Sequence, residues 1–250
     1  MSDEREAFIR EIATHPDEIS PRLIYTDWLE ERGDPQGEFI RVQCELAATR
    51  QSTRCRDLRQ REAAIMVAHR EEWLRSLGGE LIRAVFRCGL VEHLQVNPES
   101  FFSNRTRWFQ QAPISTLEVR LSKGDVSRFT KCSELQYARS LRVGGSELGD
   151  NRCIRLLSSS YLRRLDELWL TSSSIGPSAV RWLVESPLAT RLRVLILSGN
   201  ALGREGGDVL ADARPLPALE ALYISSCGID QSFVARIRRQ HPALQHISHS

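Results

Sequence analysis

The chain has 250 residues, a hydrophobic content of 41% and a formal net charge of +2 at pH 7. This composition is typical of a soluble, folded protein, and no stretch approaches the ~18 consecutive apolar residues that a membrane-spanning helix needs. The small net charge argues against a polyanion such as nucleic acid as the main partner. The first residues are charged, unlike the start of a signal peptide, so the expected location is the cytoplasm.

Six cysteines are scattered along the chain without a CxxC pair. Zinc sites and disulfide frameworks need cysteines at short, regular spacings, which this sequence lacks. We therefore expect reduced thiols that pack as small hydrophobic side chains, with no metal and no cofactor. The cysteines are Cys44, Cys55, Cys88, Cys132, Cys153 and Cys227.

Apolar residues at helical spacing predict four helices near the N-terminus. The first spans residues 4–13. Ser20 is the expected N-cap of the second helix, with Pro21 at its first position. The third helix begins near Gly37, and the fourth runs through residues 58–77. This pattern predicts an all-α N-terminal domain.

Part of this helical region carries distinctive motifs. The stretches DWLEERGD and GEFIRVQ lie between Asp27 and Gln43. They resemble the bacterial repeat-companion domain, and the likeness covers residues 5–48. That family lies at the N-terminus of proteins whose remainder consists of repeats, often leucine-rich ones, and it has no established catalytic activity or ligand. The resemblance implies a companion domain over residues 1–80, followed by repeats over residues 81–250.

The companion domain would act as a cap. The first repeat of a solenoid exposes an apolar edge, which a terminal element with one polar face covers. We expect Trp28, Phe39 and Trp73 to face inward, against each other or against the first strand near Val85 and Phe86. The sequence leaves open whether this domain also has a ligand of its own.

Five carboxylates within residues 27–38 suggest an alternative function as an enzyme or metal site. Asp27 and Glu31 are four residues apart and would share a helix face. Basic residues lie near enough in the sequence to neutralise these charges. The five carboxylates are Asp27, Glu30, Glu31, Asp34 and Glu38, and the basic residues are Arg22, Arg32 and Arg41.

A run of arginines between residues 50 and 61 supports another alternative, a regulator that contacts the phosphates of nucleic acid. Acidic residues interleave with this run, as they do on a solvated helix. Salt would discriminate between the hypotheses, because phosphate contacts weaken steeply with ionic strength. The run consists of Arg50, Arg54, Arg56, Arg59 and Arg61, with Glu45, Asp57 and Glu62 among the acidic residues.

From residue 81 onward, apolar residues follow the spacing LxxLxLxx(N/C/S/E)x(L/I/F) six times, with a partial copy at the end. This spacing marks leucine-rich repeats. The three clearest copies lie 27 residues apart: Leu165, Leu168, Leu170, Ser173 and Ile175; Leu192, Leu195, Leu197, Asn200 and Leu202; and Leu219, Leu222, Ile224, Cys227 and Ile229. The weaker copies are Val91, Leu94, Val96 and Phe101; Ile114, Leu117 and Val119; and Ala138, Leu141, Val143, Ser146 and Leu148.

The predicted fold is therefore α/β: a leucine-rich repeat solenoid with parallel strands on its concave face and helices on its convex face, behind the all-α cap. A period of 27 residues with helices resembles the ribonuclease-inhibitor-like class of repeat. The consensus leucines should point inward. Asn200, and by position Ser173 and Cys227, should bond the backbone of neighbouring turns from inside.

Residues between the consensus leucines point to the other side of each strand, because strand side chains alternate. Neighbouring strands lie ~4.8 Å apart, so Trp169, Ile196 and Tyr223 should form a contiguous apolar stripe. Aromatic anchors with a polar rim are typical of protein interfaces. The full set of central positions is Gln95, Glu118, Arg142, Trp169, Ile196 and Tyr223, and the rim residues are Glu167, Thr171, Ser198, Ser225 and Ser226.

We therefore predict a non-enzymatic scaffold protein that binds a protein partner of unknown identity through this stripe. Nucleic acid is the less favoured partner, and no membrane contact is expected. A purely structural stripe stays open as an alternative, because β-strands favour Trp, Ile and Tyr for their own stability.

Three histidines close to the C-terminus form the last candidate site. No cysteine or carboxylate accompanies His241, His246 and His249 at zinc-finger spacing, so we expect a frayed tail here. The sequence also has no recognisable catalytic triad motif and no GxxxxGK[ST] or GxGxxG loop for a nucleotide.

Overall fold

The computed structural model describes residues 3–49, 52–145 and 147–249. The structure is α/β with parallel strands, which confirms the fold class at this level. Contacts within the chain divide it into two compact units. Unit 1 comprises residues 1–95 and 99–115, and unit 2 comprises residues 96–98 and 116–250.

Unit 1 is built largely from helices and one pair of strands. The helices are α1 (Asp3–Thr14), α2 (Ser20–Glu30), α3 (Pro35–Ala48), α4 (Ser52–Leu77) and α5 (Pro98–Gln111), and the strands are β1 (Leu81–Arg87) and β2 (Leu90–Val96). The four predicted N-terminal helices are present. The predicted division into a companion domain at residues 1–80 and repeats at residues 81–250 stays a prediction.

The starts of α2 and α3 differ from the prediction. Ile19 precedes α2 with helical dihedral angles (φ −82°, ψ −29°) and makes no side-chain cap, so the predicted Ser20 cap is wrong. Helix α3 begins at Pro35, before Gly37, because Asp34 caps it. The Asp34 side chain accepts a hydrogen bond of 2.9 Å from the backbone N–H of Gln36.

Two aromatic clusters form much of the core of unit 1. Phe39 is fully buried and stacks on Trp73 with ring centroids 5.0 Å apart. Phe86 of β1 meets Phe39 edge-on at 5.7 Å, as expected for the first strand. Trp28 lies in the other cluster, stacked on Tyr25 at 5.9 Å. Trp28 packs on Tyr25 because residues three apart share a helix face. The prediction that Trp28, Phe39 and Trp73 pack together is therefore only partly correct, since Phe39 and Trp73 stack on each other and Trp28 lies in the other cluster.

A buried ion pair joins two elements of unit 1. Arg22 of α2 bonds Glu92 of β2, and their side chains are only 4% and 5% exposed. Burial raises the pKa of Glu92, although the guanidinium of Arg22 lowers it. Each buried charge is tolerable only beside the other, so the pair fixes α2 against β2.

Unit 2 alternates short strands and helices. Its strands are β3 (Thr116–Val119), β4 (Ser140–Arg142), β5 (Glu167–Trp169), β6 (Val194–Ile196), β7 (Ala221–Tyr223) and β8 (His246–Ser248). Its helices are α6 (Val126–Phe129), α7 (Gly149–Leu157), α8 (Pro177–Glu185), α9 (Gly203–Asp212) and α10 (Ser232–Gln240), with 3₁₀ turns at Ser133–Tyr137 and Pro187–Thr190. Each strand pairs in parallel with the next one along the chain.

The register of these strands follows the sequence period. Leu168 pairs with Leu195, and Leu195 pairs with Leu222. All three leucines are essentially fully buried, as are their counterparts Leu117 and Leu141 in β3 and β4. The short strands can hold this alignment because equivalent leucines fill equivalent spaces behind each of them. Ser146, which belongs to a weaker copy, lies outside the described residues.

Polar side chains inside unit 2 bond the backbone as predicted. The Asn200 amide accepts from Ser173 N–H at 2.9 Å and donates to the carbonyl of Leu170 at 2.6 Å. The hydroxyl of Ser173 donates to the carbonyl of Val143 at 2.8 Å. The thiol of Cys227 contacts the carbonyl of Leu197 at 3.1 Å. These bonds satisfy buried polar groups in the turns that leave the strands.

The C-terminal segment is ordered, so the predicted frayed tail is wrong. His241 is 1% exposed; its Nδ1 accepts from Leu216 N–H at 3.1 Å, and its Nε2 lies 2.8 Å from the carbonyl of Leu210. His246 lies in β8, where Ile247 pairs with Leu222. The segment is held because its strand, β8, pairs in parallel with β7, as each of β4, β5, β6 and β7 pairs with the strand before it.

Candidate functional site

One row of side chains crosses the strands of unit 2. The register aligns Glu118 with Arg142, Arg142 with Trp169, Trp169 with Ile196, and Ile196 with Tyr223. We call these five residues the central row. Their alignment is the one predicted from the sequence, and the binding role of the row stays a prediction. The sixth predicted position, Gln95, belongs to unit 1.

The central row lies on the side of the strands opposite the buried leucines. Trp169, Ile196 and Tyr223 are each half-buried, whereas Leu195 and its equivalents are closed off from solvent. Side chains alternate along a strand, which separates these two sets. Two strand spacings cover about 10 Å, so the three large side chains present one continuous, partly solvent-exposed apolar surface.

Arg142 extends this surface instead of only bordering it. Its guanidinium carbon lies 3.8 Å from the centroid of the Trp169 ring, a stacked cation–π contact. The stack orders the long side chain of Arg142, which is half-buried like the indole. The buried indole N–H of Trp169 has no hydrogen-bond partner within the described part of the chain. A buried donor of this kind costs free energy in the isolated protein.

The other end of the row is polar. The Tyr223 ring lies 5.0 Å from the ring of His246, and Tyr223 pairs in register with Ser248. The hydroxyl groups of Ser225 and Ser248 lie 2.9 Å apart. The apolar surface therefore ends against groups that can both donate and accept hydrogen bonds.

The remaining rim residues lie on both sides of the row. Glu167 pairs in register with Val194, before the row, and Thr171 and Ser198 follow the strands, after it. Their backbone continues the pairing beyond the strands: the carbonyl of Thr171 accepts from Gly145 N–H at 2.9 Å, and that of Ser198 accepts from Ser172 N–H at 2.9 Å. The rim is thus held by backbone bonds.

The turns behind the rim share an unusual backbone conformation. Gly145, Ser172, Gly199 and Ser226 have φ values of 62°, 49°, 76° and 55°, and they follow one another at 27-residue spacing. Glycine adopts positive φ freely, whereas serine does not, so the Ser172 and Ser226 copies tolerate strain to make the same turn. Equivalent turns give every rim residue the same position relative to its strand.

Ion pairs that were not predicted from the sequence precede the strands. Arg139 donates two bonds to Asp166 Oδ2, at 2.9 and 2.6 Å. Arg193 binds both carboxylate oxygens of Glu220 at 2.9 Å and holds the pKa of that carboxyl below its usual range. The signal was opposite charges 27 residues apart just before the strands. Arg139 is therefore occupied within unit 2 and adds no free charge to the row.

The carboxylates between residues 27 and 38 do not gather into one site. Arg41 binds Asp27 at 2.9 Å and Glu30 at 2.8 and 3.0 Å. Arg61 binds Glu38 through two bonds and lowers the pKa of that carboxyl. Asp34 caps α3, as described above. Asp27 and Glu30 thus share one guanidinium, Glu31 lies 3.6 Å from Arg32, and the acidic cluster of the sequence is divided among several ion pairs and a cap.

The arginine run on α4 is partly paired as well. Arg54 binds both oxygens of Glu45, at 2.6 and 2.8 Å, and Arg61 is held by Glu38. Arg56 and Arg59 are exposed, and Arg50 lies outside the described residues. The charge available for phosphates is thus smaller than the sequence suggests.

Neither the family models nor the curated proteins gave a match to this chain. Within residues 3–49, 52–145 and 147–249, no cluster of three or more His, Cys, Asp or Glu side chains has a metal-binding arrangement. None of the helices in these ranges combines the length and apolar character that crossing a bilayer requires.

Proposed function

We propose that this chain is a non-enzymatic interaction protein of bacterial, cytoplasmic origin. In this proposal, residues 81–250 are leucine-rich repeats of the ribonuclease-inhibitor-like class, and residues 1–80 are a repeat-companion domain that caps them. The central row, on the concave face of the repeats, binds a protein partner.

The assignment to leucine-rich repeats is supported by agreement between the sequence period and the pairing of the strands. Leu168, Leu195 and Leu222 occupy one position of three successive copies and pair with one another. A helix follows each of their strands, at α8, α9 and α10. Bonds from Ser173, Asn200 and Cys227 into the preceding turn recur with the same period. Stacked units that share one continuous core have these features.

The proposed binding face is carried by one observation: Arg142, Trp169, Ile196 and Tyr223 lie side by side and partly exposed. Trp, Tyr and Arg are the residues that most often dominate the energetics of protein interfaces. A partner that covers this row would remove a large apolar surface from water, and the stacked Arg142 loses little side-chain entropy on binding because it is already ordered.

The charges near the row favour a protein over a polyanion as the partner. Glu118 and Glu167 lie on the same face as Arg142, so acidic and basic groups are mixed there. Phosphate backbones require several unpaired cations in line. Mixed charges around an apolar centre instead orient a partner of complementary charge pattern.

The proposal is tested by comparing three forms of the full chain. Wild type, a Trp169→Ala/Tyr223→Ala variant and a Trp182→Ala control are used to capture partners from lysate of the source cell. Trp182 is a half-buried tryptophan on α8, away from the strand face, so it matches Trp169 in type and exposure. Circular dichroism first establishes that all three forms are folded.

The captured partner is then purified, and its affinity is measured at two salt concentrations. The proposal requires that wild type and Trp182→Ala bind it alike, that the double variant does not, and that salt changes the affinity only modestly. Equal binding by all three forms would refute the assignment to the central row. A partner that is nucleic acid and dissociates steeply with salt would favour the arginine run on α4 instead.

A further inference from the structure

Two cysteines of unit 1 that are far apart in the sequence meet in the structure. Cys44 lies on α3, and Cys88 lies in the turn between β1 and β2. Both belong to one apolar cluster together with Ile40 and Leu90. Cys44 lies in this cluster and Cys88 packs against it, and each thiol shifts the pKa of the other. The two side chains therefore share one apolar environment, although the sequence suggested isolated thiols.

Contacts of Gly89 hold the turn that carries Cys88 against α3, the helix that carries Cys44. The Gln43 side chain accepts a hydrogen bond of 2.6 Å from Gly89 N–H, and Gln36 donates to the Gly89 carbonyl at 3.4 Å. A Cβ atom on Gly89 would lie 2.3 Å from the Cα of Ile40, so the turn rests directly on the helix. Cys88 and Gly89 have φ values of 44° and 77°, as in the tight turns that join neighbouring strands.

The two thiols differ in exposure. Cys44 is 3% exposed, whereas Cys88 is half-buried and reachable from solvent. The neighbouring thiol of Cys44 and the guanidinium groups of Arg22 and Arg87 lower the pKa of Cys88, against burial and the carboxylate of Glu92, which raise it. Cys88 is the nucleophile of the pair, because it is the thiol that solvent reaches and the thiolate is the reactive form of cysteine.

We propose that Cys44 and Cys88 form an oxidisable dithiol site whose substrate is a low-molecular-weight disulfide. An accessible cysteine beside a buried second cysteine is the arrangement that thiol–disulfide exchange requires. The product is an intramolecular disulfide that joins α3 covalently to the β1–β2 turn.

The reaction proceeds in two exchanges. The Cys88 thiolate attacks one sulfur of the small disulfide, RSSR, which gives a mixed disulfide on Cys88 and releases one RS⁻. Cys44 then loses its proton and attacks the Cys88 sulfur, which forms the Cys44–Cys88 bond and releases the second RS⁻. Overall the protein loses two electrons and two protons, and RSSR becomes two RSH. Excess thiol reverses both exchanges.

The test uses the folded, reduced full chain and oxidised glutathione. After incubation, remaining thiols are blocked with iodoacetamide, and peptides are mapped by mass spectrometry without reductant. Wild type should give a Cys44–Cys88 cross-linked peptide that dithiothreitol removes. The Cys44→Ser variant should instead stop at a Cys88–glutathione mixed disulfide. Cys55→Ser is the matched control, because Cys55 is also half-buried, and it should form the cross-link like wild type.

Three results would overturn the proposal. Wild type could stay fully alkylated at both positions, it could accumulate the mixed disulfide at Cys88 without a cross-link, or it could react first at another cysteine. If Cys44→Ser does not fold, Cys88→Ser supplies the second arm. In that variant the buried Cys44 should remain unmodified by glutathione, and rapid modification of Cys44 would contradict the assigned order of attack.

Discussion

Leu195 in unit 2 and Arg22 in unit 1 are both almost completely buried, but they depend on their neighbours in different ways. Leu195 occupies one of several equivalent positions, between Leu168 and Leu222. Arg22 pairs with Glu92 across 70 positions of sequence. Unit 2 therefore distributes its stability over contacts that recur, whereas unit 1 relies on contacts that occur once. A substitution should be tolerated better in the first kind of structure than in the second.

The largest effect is expected in unit 1, at the buried ion pair. Arg22→Met leaves Glu92 buried without its partner, and such a change costs roughly 3–5 kcal/mol in the free energy of unfolding. An Arg22→Met/Glu92→Leu double variant removes both charges and should recover most of that loss. Urea unfolding of the two variants and of wild type measures this difference. If Arg22→Met is as stable as wild type, the ion pair does not fix α2 against β2.

A somewhat smaller effect is expected in unit 2, where two adjacent residues of β6 give a matched pair. Leu195→Ala creates a cavity in the core and should lower the free energy of unfolding by ~2–5 kcal/mol. Ile196→Ala, on the opposite side of the same strand, should lower it far less, because that side chain is half-buried and leaves no closed cavity.

The same pair separates stability from binding. Ile196→Ala should weaken the affinity for the partner, whereas Leu195→Ala should leave the affinity of the protein that remains folded near that of wild type. Urea unfolding gives the free energy of unfolding of both variants, and titration calorimetry gives their dissociation constants for the partner. If Ile196→Ala destabilises as strongly as Leu195→Ala without an effect on binding, the central row is a packing feature, and the proposed division of the two strand faces is wrong.

The smallest effect concerns pH and His241. Burial lowers the pKa of His241 below its usual value of 6.5, so the unfolded chain takes up a proton more readily than the folded one. The free energy of unfolding should therefore fall as the pH drops below about 6.5. Above that pH the imidazole is neutral in both the folded and the unfolded chain, so His241 should contribute no further pH dependence. His241→Gln should flatten the dependence between about pH 7 and 5, relative to an exposed His246→Gln control. Parallel curves for both variants would contradict the assigned neutral, buried imidazole.

The repeated part of the molecule was the more predictable part. Leu168, Leu195 and Leu222 repeat at a fixed spacing, and that spacing determines which residues pair across strands and hence which side chains share the central row. The same register places Arg142 beside Trp169, but their stacking could not be predicted because it depends on the directions of the two side chains. The order of the C-terminal strand was missed because Ile247 is its single buried residue and the histidines around it look like a tail.

Contacts that occur once left no comparable signal. Nothing in the spacing of Arg22 and Glu92, or of Cys44 and Cys88, indicates that they meet, because each pair comes from elements that pack through a non-repeating arrangement of helices and strands. The acidic cluster at residues 27–38 shows the opposite error. Its carboxylates are close in sequence, but Arg41 on α3 binds Asp27 and Glu30, whereas Arg61 on α4 binds Glu38.

The central claim is that the row through Trp169 is the binding face. Its most direct test is the dissociation constant of the purified partner with wild type, Trp169→Ala and Trp182→Ala at one salt concentration. Loss of an interface anchor costs about 2 kcal/mol or more, so Trp169→Ala should raise the dissociation constant by roughly thirtyfold or more. Trp182→Ala should leave it unchanged. Equal dissociation constants for all three proteins would contradict the claim.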